Sequence, residues 1–183
     1  MPLALARAVD DHAVALTTSL AGRSQRLDRA ASLLARHLAK VHVTLLVVLL
    51  LGGRSAAGHR RRAAARRMAA ALPLTIGAVG LVGRLVERER PFTRRPDDAV
   101  LVSHAPDRSF PSRHSACAAA MTTVALSTGP AIGLLMALGT LGLALSRVYA
   151  GLHYPSDVIG GWIIGITVGI IARRKELPRV PWI

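Results

Sequence analysis

The run VTLLVVLLLGG at residues 43–53 passes directly into GRSAAGHRRRAAARR at 53–67, and this pairing of apolar stretch with basic cluster constrains the chain most. An apolar segment of roughly 20 residues matches the hydrocarbon core of a bilayer, where backbone polar groups are satisfied only within helices or closed barrels. Four segments read this way: 33–53, 68–86 with Pro73 expected to kink it, 132–150 and 155–172. A fifth, SRHSACAAAMTTVALSTG at 112–129, is rich in small residues and reads as a span covered by its neighbours. With 183 residues, 51% of them hydrophobic, one all-α domain is expected, a polytopic transmembrane helical bundle of five spans, or six if the N-terminal segment also crosses.

The formal net charge of +14 would suit a nucleic-acid binder if the bases lined one helical face, but they gather at the ends of apolar segments. No nucleic-acid partner is expected; the distribution follows the positive-inside rule. With 53–67 and the tail cytoplasmic, residues 87–111 and 147–154 emerge together on the opposite face. The chain divides into an interfacial, amphipathic segment (1–32), a transmembrane domain (33–172) and a basic cytoplasmic tail (173–183). Asp10 and Asp11 interrupt the apolar part of the first segment, which makes it a poor signal peptide. The single cysteine, Cys117, excludes an internal disulfide and reads as a small buried hydrophobe.

Three polar stretches share the extracytoplasmic face: RERPF (88–92), SFPSRHSA (109–116) and SRVYAGLHYPSD (146–157). Ionisable residues flanked by membrane spans are a functional hypothesis by default. Together these stretches resemble the motifs of the membrane type 2 phosphatidic acid phosphatase superfamily. The third is matched in full by Ser146, Arg147, His153 and Asp157; the second by Pro111, Ser112 and His114, with Arg113 replacing a glycine. The first keeps Arg90 and Pro91 but has Gly83 where the family has lysine, and Arg84 is the neighbouring candidate to replace it.

The residues support that chemistry physically. His153 and Asp157 are four apart, so a helix turn puts them on one face, and a carboxylate there would hold one imidazole nitrogen and leave the other free as a nucleophile. Pro155 favours a helix start there. Gly161, Gly165 and Gly169 continue the face of Asp157 and turn it into the bundle. Ser112 is the expected cap of a helix whose N-terminus favours phosphate, and His114 just inside it is the expected general acid. Arg90 and Arg147 offer planar forks for phosphoryl oxygens, with Ser112 and Arg113 beside them. Phosphoryl transfer asks chiefly for positioning and charge neutralisation, so no metal and no cofactor are expected. Arg88, Arg94, Arg95 and Arg108 are expected to meet lipid head groups.

The wording SHAPDRSFPSRH (103–114) resembles the undecaprenyl-diphosphatase branch of the superfamily. That resemblance implies a membrane lipid substrate with a diphosphate head, hydrolysed at the outer face of a bacterial plasma membrane. Other lipid phosphates, including phosphatidic acid, phosphatidylglycerol phosphate and a prenyl-linked sugar phosphate, are the alternatives, as is a membrane protein that binds lipid phosphate without turnover. The sequence leaves self-association open.

Overall fold

Serines open the two longest helices. A computed structural model describes residues 2–53, 55–95 and 101–174, with side chains from residue 7 onward. The helices described are α1 (Pro2–Leu20), α2 (Gln25–Leu50), α3 (Ala56–Leu85), α4 (Pro91–Arg94), α5 (Arg113–Ala125), α6 (Pro130–Tyr149) and α7 (Pro155–Arg174), with no strand among the described residues. Ser24 accepts a hydrogen bond from the Leu27 N–H at the start of α2, and Ser55 accepts one from Gly58 N–H at 3.1 Å at the start of α3.

The caps place both helix starts earlier than the hydrophobic pattern does. α2 begins at Gln25 instead of Leu33, and α3 at Ala56 instead of Met68. The basic stretch expected as a loop is therefore the first part of α3. Alanine and arginine are both strong helix formers, so AAARRMAAA has no reason to leave the helix. At 30 residues α3 is about 45 Å long, more than the ~30 Å hydrocarbon core, and its arginine-rich end extends past it. The Arg62 guanidinium folds back to donate to the Gly52 carbonyl at the end of α2.

Four helices, α2, α3, α6 and α7, are long and apolar enough to cross a membrane. The 112–129 segment is shorter than expected: α5 has only 13 residues, about 20 Å, because Gly129 and Pro130 end one helix and begin the next. From Ala118 to Ala125 every residue of α5 is buried, with α3, α6 and α7 packed around it. Large aliphatic side chains such as Leu134, Leu138, Leu145, Ile159 and Ile163 stay exposed on the outer faces. That inverted distribution is the mark of an integral membrane protein.

The tightest pairing is α5 with α7. A Cβ at Gly165 would stand 2.1 Å from the Ala116 carbonyl oxygen, and one at Gly161 2.6 Å from that of Ser112. The glycine stripe thus lets two backbones touch, as the spacing predicts, and draws the start of α5 against the start of α7. Deeper in the bundle, His42 is buried. Its Nε2 lies 3.1 Å from Thr140 Oγ1, which in turn meets Thr122 Oγ1 at 2.8 Å. This small network satisfies polar groups that the surrounding Leu46, Met121 and Met136 could not.

Candidate active site

α7 starts at Pro155, so His153 sits two residues before the helix and Asp157 in its first turn. Asp157 closes that start as the acidic member of a capping box: its Oδ2 accepts the Tyr154 N–H at 2.8 Å and also the Ser109 hydroxyl. Both His153 and Asp157 are almost wholly buried. The His153 N–H is tied to the Arg147 carbonyl at 3.3 Å, which anchors the loop to the end of α6.

The imidazole is held differently from the expectation. Nδ1 lies 3.0 Å from the Ser109 carbonyl oxygen and 3.6 Å from Asp157 Oδ2, so the carbonyl is the direct partner and the carboxylate the more distant one. A carbonyl only accepts, so Nδ1 carries the proton and Nε2 the lone pair. Nε2 faces Arg90, whose Nη1 donates to it at 3.0 Å. Burial in this loop, outside the spanning helices, pushes the His153 pKa down to about 4, against the opposing pull of Asp157. The ring is neutral at neutral pH.

Arg90 is itself buried, and its other donors are engaged. Nη1 also reaches the Leu152 carbonyl at 2.8 Å, and Nε donates to Asp107 Oδ1 at 2.8 Å. Burial alone would raise the Asp107 carboxyl; the hydrogen bond and charge of Arg90 outweigh it and hold Asp107 below the usual carboxylate range. Arg147 presents the opposite case: 3% exposed, with a buried Nε that finds no partner among the described residues. A buried donor left without a partner is costly to hold in place.

A cavity of about 510 Å³ opens over these groups, lined by Arg90, His104, Asp107, Arg108, Arg113, His114 and His153 among others. His114, one residue into α5, is half-buried and makes no hydrogen bond among the described residues. Ser112 occupies the cap position, but its hydroxyl pairs with Ser115 Oγ at 3.0 Å rather than with the helix backbone, and its own N–H goes to the Asp157 carbonyl at 2.9 Å. It is fully buried behind the cavity wall. Arg113 is exposed at the rim. Gly83 lines the cavity, whereas Arg84 is exposed and contributes nothing to the lining, because adjacent helix positions diverge by about 100°. Next to His114 and Arg113, and sharing Ile76 with the cavity, lies an apolar groove of about 250 Å³ formed by Ala39, Val43, Leu72, Cys117 and Met121.

Of the residues expected from sequence, His153, His114, Arg90 and Arg113 meet at one cavity, with Asp157 and Arg147 buried behind it; Arg84 does not join them. Ser109, Asp107 and Arg88 join the site without a role there expected from sequence. Arg88 does not meet lipid: it donates to Asp157 Oδ1 at 2.9 Å and stacks 3.8 Å from the centroid of the Tyr154 ring. Arg94 and Arg108 pair with Asp11 and Glu87. Ser109 acts through both its backbone carbonyl, on His153, and its hydroxyl, on Asp157, and only the hydroxyl depends on the residue type.

Comparison with known proteins adds a family profile described as PAP2 superfamily, which matches residues 64–179. Decaprenylphosphoryl-5-phosphoribose phosphatase of Mycobacterium tuberculosis (strain H37Rv) is 45% identical over 92 residues, 50% of this chain and 49% of that protein. Undecaprenyl-diphosphatase BcrC of Bacillus subtilis is 31% identical over 109 residues, 55% of this chain and 56% of that protein. The chain spans about half the length of the curated relatives it matches. Among solved structures, Aquifex aeolicus LpxE superposes with a TM-score of 0.68 at 27% identity, covering 94% of each chain.

Proposed function

The chain belongs to the PAP2 superfamily, and from that premise we propose that it is an integral-membrane phosphatase acting on a polyprenyl-linked phosphate or diphosphate. One observation carries the catalytic reading: a buried, neutral His153 that holds its proton on Nδ1 and turns its Nε2 lone pair toward Arg90 at a cavity bordered by His114. The apolar groove beside His114 supports a lipid tail whose head reaches the cavity.

In the proposed reaction, Arg90, Arg147 and Arg113 take the phosphoryl oxygens. The Nε2 lone pair of His153 forms the N–P bond while the bond from phosphorus to the lipid oxygen breaks, and His114 donates a proton to that oxygen. His114, now basic, takes a proton from water; the hydroxide attacks phosphorus, the N–P bond breaks, and inorganic phosphate and neutral His153 return. Asp157 stabilises the positive charge that builds on the imidazole. Charge neutralisation by arginines takes the place of a metal in this scheme.

Two substrates stand within this class. The stretch SHAPDRSFPSRH favours undecaprenyl diphosphate, and the likeness to BcrC supports it. The higher identity to the decaprenylphosphoryl-5-phosphoribose phosphatase favours the phosphomonoester of a prenyl-linked sugar. The site faces outward across a bacterial plasma membrane, with the arginine-rich end of α3 inside; α5 completes a fifth pass in the interior of the bundle. The test is phosphate release in EDTA from undecaprenyl diphosphate, a prenylphosphoryl sugar phosphate and phosphatidylglycerol phosphate. Metal-free turnover of a prenyl substrate supports the proposal, and the faster one names it. Activity that requires added divalent metal refutes the mechanism, and inactivity on every lipid leaves a binding role.

A further inference from the structure

α1 lies outside residues 64–179, yet it reaches the catalytic loop through one side chain. Asp10 is 3% exposed. Its Oδ1 accepts the Ser156 N–H at 3.0 Å, and its Oδ2 accepts the Ser156 hydroxyl and Arg88 Nη2, the latter at 2.7 Å. Arg88 Nη1 spans onward to Asp157 Oδ1 at 2.9 Å and to Ser156 Oγ at 2.6 Å. One guanidinium is thereby shared between two buried carboxylates, and the first turn of α7 is held from both sides.

We propose that Asp10 is a positioning residue for the nucleophile: through Arg88 and Ser156 it fixes Asp157, and so the imidazole of His153 and the charge it faces. The inference rests on the reading of His153 as nucleophile. Arg88 alone would neutralise Asp157 and leave it little to offer a histidine that becomes cationic on forming the N–P bond. With Asp10 on the far side of the guanidinium, the trio carries a net charge of −1, and Asp157 keeps its influence on the ring 3.6 Å away. Asp10 does not line the cavity, so its removal is expected to act on the chemical step rather than on binding.

The full chain in detergent tests this with Asp10→Asn, which keeps size and an acceptor for Ser156 while removing the charge. The expected result is a kcat lowered about tenfold or more at nearly constant KM, the rate equivalent of one charge-assisted hydrogen bond. Asp10→Glu should recover part of it, and Asp11→Asn, at the half-buried neighbour, should show none of the loss. Ser156→Ala, which removes one of the links, should give a smaller loss of the same kind. Wild-type kcat in Asp10→Asn, or a change confined to KM, overturns the inference. Selective 15N-histidine spectra provide a readout independent of turnover, with the His153 Nδ1–H assigned by its loss in His153→Gln. If the wild-type protein hydrolyses no lipid phosphate, the functional reading fails separately and this resonance decides: a shift in Asp10→Asn upholds the positioning role, and an unmoved resonance refutes it.

Discussion

Arg90 donates to the Nε2 of His153 at 3.0 Å, so the atom assigned to attack phosphorus is covered by the cation assigned to bind it. Substrate must therefore exchange with a contact inside the protein. Asp107 occupies a further face of the same guanidinium.

That competition predicts the effect of Asp107→Asn. The carboxylate sits where a phosphoryl group would approach Arg90, and like charges at such range oppose binding by roughly one kcal/mol at a solvent-accessible site. Inhibition by inorganic phosphate should tighten by roughly three- to tenfold in the variant, with the difference shrinking at high salt. Weaker inhibition would mean that Asp107 holds Arg90 in its working position instead.

Under the proposed mechanism, Arg147 is a place where phosphate binding and stability oppose each other. Its guanidinium is buried with Nε unpartnered among the described residues, and replacing such a charge by an apolar residue of similar length is often stabilising by about 1–4 kcal/mol. Arg147→Met should raise the apparent melting temperature in detergent while removing most activity. A variant that melts lower would show that Arg147 supports the fold.

Protonation of His153 couples the site to pH. Its pKa of about 4 in the folded chain lies below the ordinary value of 6.5. Between those values the unfolded chain takes up a proton that the folded one does not, so stability falls as pH drops through the window, by up to roughly 3 kcal/mol. Ring titration followed by NMR should give a midpoint near 4, with the ring neutral at every higher pH; a midpoint near 6.5 would contradict burial as the cause.

Arg84→Ala should leave kcat, KM and stability unchanged, the last within about 0.5 kcal/mol, because Arg84 is exposed and away from the cavity lining. A large kinetic loss would mean that it swings in to serve where Gly83 stands. Kinetics of the two proteins side by side settle the point.

What the sequence made legible follows from what spacing encodes. Asp157 and the glycines after it share one helix face, and their spacing turns that face into the bundle, whereas His153 precedes the helix and its partner, the Ser109 carbonyl, is not encoded by spacing. The start of α3 was hidden because arginine prefers both water and helices, so a basic run looks like a loop while propensity and a serine cap make it a helix. Arg88 and Arg108 are neighbours of Arg90 in composition but not in role: only the three-dimensional position of Asp10 and Asp157 separates an inward arginine from a surface one. Asp10 itself is visible in the sequence as a charge inside an apolar segment, where it counts against a signal peptide. The rule that such a charge has a partner would have pointed to a contact, though not to Ser156, 146 residues away.

The central claim is that His153 carries the phosphoryl group. The most direct measurement is to quench the protein in alkali during turnover of a prenyl phosphate and locate the modified residue by mass spectrometry. The account predicts phosphohistidine at residue 153, absent from His153→Gln, whose kcat falls by a factor on the order of 10⁴. A phosphoryl group on His114, or a His153→Gln protein that turns over at the wild-type rate, would contradict it.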